Sequence, residues 1–386
     1  MNYLGRAIGD FFKKADIVLL LLCIVTTVFG IVAISSATAS AGNSRYVAIQ
    51  TLALVLGVAI YIVLTLIDVD IIAERRELLL LFCIIFIGIL KFLGVEGDTG
   101  NKSWLDLPLI PMNIQPAEIC KIFFIIILAK MMSVNQNKLS TPLNVAKMGL
   151  LTGFFFLFIV YVSSDAGVAL IYICIFITMA FAGGVSFVWF ALGIALIVIA
   201  APVIISMLEG YQYERIMMFF DPTIDPEGQG VRWQTNRSLR YFQNGGVAGQ
   251  GLYSGTMVQG EAMSAQHTDF IFSSIAEELG MLGCIVVLIL LTAIVIRCIY
   301  VGVKSGNYMN RIICVGIAGM LVFQIFINVG MCIGVFPVIG LTLPFISYGG
   351  SSIVTMFMAM GVVSGIHMRP APDARAQYIR PRVIAF

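Results

Sequence analysis

Charge is what this sequence has least of. Of its 386 residues only 11% are Asp, Glu, Lys or Arg, against about 25% in an ordinary soluble domain. Hydrophobic residues make up 60%, and the mean hydropathy is +0.99. A water-soluble chain so composed would expose more apolar surface than solubility tolerates. A soluble globular enzyme and a disordered chain are therefore excluded. The net charge of +2 supplies no global field for nucleic acid, and no nucleic-acid partner is expected. Histidine is nearly absent: His267 and His367 are the only two, too few for a multi-histidine metal centre. The eight cysteines (Cys23, Cys83, Cys120, Cys174, Cys284, Cys298, Cys314 and Cys332) all lie in apolar runs without CxxC spacing. That is the pattern of small buried hydrophobes, not of a disulfide framework or a zinc site. No polar stretch is long enough for a separate soluble domain, and no internal repeat is visible. Residues 1–386 thus read as one polytopic membrane domain.

What is present is a series of apolar runs. A membrane-spanning helix needs about 20 apolar residues. Such runs occupy 17–36, 45–67, 77–94, 116–133, 142–162, 166–183, 186–207, 270–299, 311–335 and 343–366. The expected fold is an all-α integral membrane protein of about ten transmembrane helices. The first run follows Arg6, Lys13 and Lys14 and precedes a cleavage-like ATASA at 37–41. It is longer than a signal-peptide core and further spans follow it, so it reads as an uncleaved first helix. With the N-terminus inside, fifteen Lys and Arg residues fall in inner segments and six in outer ones. The positive-inside rule then makes both termini cytoplasmic. It also makes residues 208–269, between the seventh and eighth runs, a large extracytoplasmic loop. This loop mixes arginines with Tyr211, Tyr213, Phe219, Phe220, Trp233, Tyr241 and Phe242, so partial order over the outer face is expected.

Ionisable groups at membrane depth are expensive, and by default they mark function. Here they gather towards the outer side. Glu118 and Lys121 open the fourth run three residues apart, neighbours on one helix face. Either they neutralise each other at the bilayer boundary or they face a ligand. Asp165 lies at the outer junction of the fifth and sixth runs, as a turn residue or a site residue. Asp269, Ser273 and Glu277 follow at four-residue steps, a polar stripe along the eighth run. Asp269 is either a carboxylate at the helix N-terminus or a reacting group. Glu277 and Glu278 either hold helices together or line a cleft. Trp104 fits an interfacial aromatic anchor. Phe336–Ser352 reads FPVIGLTLPFISYGGSS. Its prolines and glycines break regular helix, which membrane depth tolerates only where the backbone lines a protein-buried or watery cavity. Carboxylates in an outer cleft with arginines above suit an anionic lipid-linked substrate. Basic groups there hold phosphate, and a partly desolvated carboxylate serves as general base.

The stretches HTDFIFSSIAEELGMLG and NVGMCIGVFPVIGLTLPFISYGGSS resemble the SEDS family (shape, elongation, division and sporulation), whose members include RodA, FtsW and SpoVE. The likeness extends through the Trp104 segment, IQPAEICK (114–121), SSDAGVAL (163–170) and GGVAGQGLYSGT (245–256). The short N-terminal segment and brief C-terminal tail look most like RodA. The resemblance implies a peptidoglycan glycosyltransferase of the bacterial cytoplasmic membrane that polymerises lipid II at its outer face. It implies a class B penicillin-binding protein as partner, beside the substrate and the membrane lipids. By motif match Asp269 is the general base, and Lys121, Glu118, Arg215, Trp104, Asp165, Glu277, Ser347 and Ser351 are expected in the substrate cavity. A divalent cation, Mg or Mn, near the pyrophosphate is compatible with the chemistry, though no ligand cluster identifies a site. QPAE stands where the family usually has QPSE, and SDAGV where it has a PDLGT-like motif. The competing reading is a flippase or transporter of the same lipid-linked precursor.

Overall fold

The computed structural model describes residues 13–40, 42, 44–95, 101–106, 112–206, 217, 232–263 and 265–369. Its helices are α1 (Ile17–Ala37), α2 (Arg45–Leu66), α3 (Val69–Glu74), α4 (Arg76–Gly88), α5 (Leu90–Leu93), α6 (Pro116–Val134) and α7 (Pro142–Ser163). They continue as α8 (Ala166–Gly183), α9 (Phe187–Ser206), α10 (Trp233–Gly245), α11 (Thr256–Gln259), α12 (Ile271–Lys304), α13 (Tyr308–Cys332) and α14 (Gly350–Met368). The only extended pairing among the described residues is two isolated antiparallel bridges, Val95 with Trp104 and Leu105 with Ile114.

Each apolar run corresponds to helix. Seven helices are long and apolar enough to cross a membrane: α1, α2, α7, α8, α12, α13 and α14. The other three runs differ for local reasons. The 77–94 run divides into α4 and α5. Helix α6 carries Glu118, Lys121 and Lys130 in 19 residues, and α9 has a shorter apolar stretch, Phe187–Ala200. The tenth run starts later than expected, at Gly350, because the proline- and glycine-rich residues before it do not continue a helix. The eighth extends to Lys304 but breaks at Gly280, where φ is 67° and ψ is −168°.

Local chemistry sets the ends. The Asp16 carboxylate accepts from Leu19 N at 3.0 Å and Asp165 from Val168 N at 3.0 Å, each supplying an acceptor to an orphan N–H of a first turn. Pro116 and Pro142 occupy first helical positions, where the missing N–H costs nothing. Within the bundle α14 lies along α2, while α12 packs on α13 and α1, and α13 on α8 and α6. Of the seven long apolar helices, α13 and α14 are the most enclosed. Leu150, Leu196, Ile199 and Val303 point outward, as an apolar solvent allows.

Candidate active site

The end of the bundle that the charge distribution assigns to the outer side is organised around the irregular segment 337–349. Its side chains and backbone hold the short turn that carries Asp269. Three consecutive carbonyls of that turn each receive a donor. Tyr348 N donates to His267 O at 2.9 Å, Ser347 Oγ to Thr268 O at 2.6 Å, and Asn328 Nδ2 to Asp269 O at 2.8 Å. Asn328 Nδ2 also reaches Leu341 O at 2.6 Å, so one amide ties the turn, the irregular segment and α13 together. The rings of His267, Tyr46 and Tyr348 form a triangle, with His267 at 4.6 Å from Tyr46 and 5.6 Å from Tyr348, centroid to centroid. A Cβ placed on Gly340 would lie 3.6 Å from Asp269 Oδ2. The Asp269 carboxylate is therefore half-buried on a fixed backbone, immediately against a residue without a side chain.

A second polar group lies on the other side of the same segment. Lys121 Nζ pairs with Glu118 Oε1 at 2.6 Å, with side-chain exposures of 0% and 4%. The other oxygen of Glu118, Oε2, is buried without a hydrogen-bond partner. Asp165 Oδ2 accepts from Gln115 Nε2 at 2.9 Å and from Ser103 Oγ at 3.2 Å. Burial raises the Asp165 carboxyl above its ordinary range, opposed first by the Val168 N–H. Gln115 N donates to Ser351 Oγ at 3.0 Å, which joins the start of α6 to the start of α14. Gly167 lies against Ile339, so segment 337–349 also touches the start of α8 beside Asp165.

Of the sequence-predicted residues, Asp269 and Ser347 thus meet at one segment, while Asp165, Ser351, Glu118 and Lys121 gather at the starts of α6, α8 and α14. Trp104 lies beside Ser103 in the bridge with Val95. The hydroxyls of Ser347 and Ser351 are engaged within the protein: Ser347 Oγ also accepts from Leu343 N at 2.8 Å. Glu277 stands apart from this group. Its oxygens accept from Asn244 Nδ2 (3.1 Å), Thr256 Oγ1 (3.3 Å), Met257 N (3.0 Å) and Val258 N (2.8 Å). Arg215 lies outside the described residues. Sequence reasoning passed over Gln50, whose Nε2 donates to Ser347 O at 3.0 Å and whose Oε1 accepts from Gly349 N at 3.1 Å. A lone amide inside an otherwise apolar run was the available signal.

Taken together, a half-buried carboxylate on a fixed turn and a buried ammonium–carboxylate pair with one unpartnered oxygen lie at the same end of the bundle. Such an arrangement can accept a proton at Asp269 and place positive charge nearby for an anionic leaving group. Comparison with known proteins gives this geometry its context. The model of a family described as "Cell cycle protein", covering FtsW, RodA and SpoVE, matches residues 15–371. The peptidoglycan glycosyltransferase MrdB of Escherichia coli K12 is 30% identical over 81% of this chain and 83% of its own. A probable peptidoglycan glycosyltransferase FtsW of Geobacter metallireducens is 31% identical over 92% of this chain and 96% of its own. A solved structure described as "Structural coordination of polymerization and crosslinking by a peptidoglycan synthase complex" aligns with a TM-score of 0.79 at 26% identity, over 93% of this chain and 99% of that one. The crystal structure of the Thermus thermophilus rod shape determining protein RodA shares the fold, with a TM-score of 0.69 at 24% identity over 93% and 98% of the two chains. This multi-pass membrane protein belongs to the FtsW/RodA/SpoVE family of peptidoglycan glycosyltransferases.

Proposed function

We propose that the chain polymerises lipid II into glycan strands at the outer face of the cytoplasmic membrane, with Asp269 as general base. In the step envisaged, the 4-hydroxyl of the acceptor N-acetylglucosamine attacks the anomeric carbon of the donor. Its proton passes to the Asp269 carboxylate as the new glycosidic C–O bond forms. The bond to the pyrophosphate oxygen breaks on the opposite face, with inversion, and undecaprenyl pyrophosphate leaves with the electron pair. General-base catalysis of this kind contributes about 10²–10⁴-fold. Lys121 and Arg215 are the candidate counter-charges for the leaving group, and Glu118, Trp104, Asp165, Ser347 and Ser351 shape the pocket.

The observation that carries the reading is the set of donors on the consecutive carbonyls of His267, Thr268 and Asp269. A turn merely covering a helix end has no need of such restraint, whereas a base must be held within hydrogen-bond reach of its proton. Among the described residues no three His, Cys, Asp or Glu side chains converge. A divalent cation, Mg or Mn, would then be held chiefly by the pyrophosphate itself, and the step above does not run through it. Cell elongation or division is the setting, with a class B penicillin-binding protein as the cross-linking partner.

The test is wild-type protein, with its penicillin-binding partner, supplied with labelled lipid II in vesicles. Glycan strands are expected, and chelation of divalent cations is expected to slow their formation. Movement of lipid II between leaflets without strands would overturn the enzymatic reading in favour of a transporter.

A further inference from the structure

The break in α12 is not an open gap. A non-helical residue at Gly280 leaves carbonyls before it and N–H groups after it without helical partners, and membrane proteins must satisfy such groups internally. The loop 245–251 does so from both sides. Gln250 N donates to Glu277 O at 3.0 Å and Gly251 N to Glu278 O at 2.9 Å. In return Met281 N donates to Gly246 O at 3.0 Å and Leu282 N to Val247 O at 3.2 Å. The loop backbone is therefore spliced into the helix. Contact is so close that a Cβ on Gly249 would fall 2.2 Å from Glu278 O, and one on Gly280 2.4 Å from Val247 O. Both residues also have positive φ, 78° and 67°, so side chains are excluded sterically and conformationally.

The carboxylates at the break are directed to residues on either side of that loop and to α1. Glu277 receives four donors from Asn244 and residues 256–258 and is fully buried. Glu278 Oε1 accepts from Ser36 Oγ at 2.7 Å and from Gln259 Nε2 at 2.9 Å. Gln266 then closes the circuit towards the reacting turn. Its Nε2 donates to Ala37 O at 2.8 Å and Val258 O at 3.0 Å, and its Oε1 accepts from Tyr241 Oη at 2.8 Å. Asp269 follows three residues later. The short half-helix 271–279 is thus held at one end by the splice and at the other by the turn carrying Asp269.

We propose that Glu277 is a positioning residue for Asp269, acting through the splice between the 245–251 loop and the break at Gly280, and not a ligand of the substrate. The inference rests on the glycosyltransferase reading only for its activity readout. Glu277 fixes Asn244 and residues 256–258, on either side of the loop, to the half-helix, the loop completes the broken helix, and the half-helix sets where the base stands. The outer loop and the general base form one mechanical unit.

The experiment uses the full chain with its penicillin-binding partner. It measures initial polymerisation rates against lipid II concentration, and amide exchange of peptides covering 246–252 and 278–284. For Glu277→Ala, kcat is expected to fall at least 10-fold with KM within threefold of wild type, and both peptides to exchange at least 10-fold faster. Glu277→Gln retains an acceptor for the donors at Oε1 and is expected to recover most of both readouts. Asn244→Ala removes one donor of four, and should speed exchange a few-fold in a protein whose thermal unfolding matches wild type. Asp269→Ala should leave exchange unchanged. A 10-fold rise in KM for Glu277→Ala with kcat and exchange unaltered would overturn the proposal, because the carboxylate would then be touching substrate. Unchanged exchange in Glu277→Ala and Asn244→Ala would overturn it as well. Inactive wild type with the expected exchange pattern would count against the glycosyltransferase reading while leaving the splice standing.

Discussion

Two ion pairs lie at opposite ends of the bundle, one partly exposed and one buried, and they are built differently. At the inner end Arg297 Nε reaches both oxygens of Asp16, at 3.1 and 2.8 Å. Asp16 also caps α1 through Leu19 N, donates its own N–H to Ser364 Oγ at 3.2 Å, and accepts from Tyr61 Oη on its carbonyl at 2.7 Å. Four helices, α1, α2, α12 and α14, meet at one residue whose polar groups all have partners. At the outer end Glu118 and Lys121 belong to a single helix, so their contact ties no two helices together. One Glu118 oxygen is left buried without a partner. An unsatisfied buried polar atom costs about 1–3 kcal/mol, and an intrahelical pair returns little tertiary stability for it. The inner pair is explained by the fold. The outer pair is not explained by the fold in that way, and the proposed function gives it a role in binding.

Replacing both members of the outer pair is the strongest way to break this contrast. Apolar replacement of a whole buried pair is often neutral or stabilising. The double variant Glu118→Leu/Lys121→Met is expected to unfold no earlier than wild type in detergent and yet to polymerise lipid II at least ~100-fold more slowly, by the electrostatic stabilisation it removes. Retained activity would make the outer pair as structural as the inner one. Asp16→Ala should show the opposite profile. It removes the carboxylate from a partly exposed Arg297, costs about 2 kcal/mol by unfolding in mixed micelles, and leaves the rate per folded molecule within twofold. Ser347→Ala should lie between them. Loss of the donor to Thr268 O is expected to cost about 1 kcal/mol and, through a looser Asp269 turn, a few-fold in rate. The smallest effect belongs to Arg369, which donates to the carbonyls of Thr65, Leu66 and Ile67 at the inner end of α2. Arg369→Ala should lower stability by about 0.5 kcal/mol with no change in polymerisation.

The same contrast explains how much was legible in the sequence. Apolar runs were visible because hydrocarbon demands them, and the interruption before Gly350 because Pro344 and Gly349 announce it. The pairing of Asp16 with Arg297 was not visible, since 281 residues separate the partners and no local pattern links them. Asp269 and the Glu118–Lys121 pair stood out as rare charges in apolar surroundings. The partners of Glu277 did not, because backbone N–H groups of residues 257 and 258 carry no mark in a side-chain alphabet. The regular spacing of Asp269, Ser273 and Glu277 suggested one polar stripe. The structure instead gives Ser273 Oγ to Ser238 Oγ at 2.6 Å and Glu277 to the outer loop. A single glycine inside EELGMLG was too weak a signal for a break filled by another backbone.

The central claim is that Asp269 is a base held ready by its neighbours. The direct measurement is the initial polymerisation rate of Asp269→Asn beside wild type, with lipid II binding and thermal unfolding measured on the same preparations. A loss of at least ~100-fold in rate is expected, with binding and unfolding unchanged. A variant polymerising at the wild-type rate would contradict it.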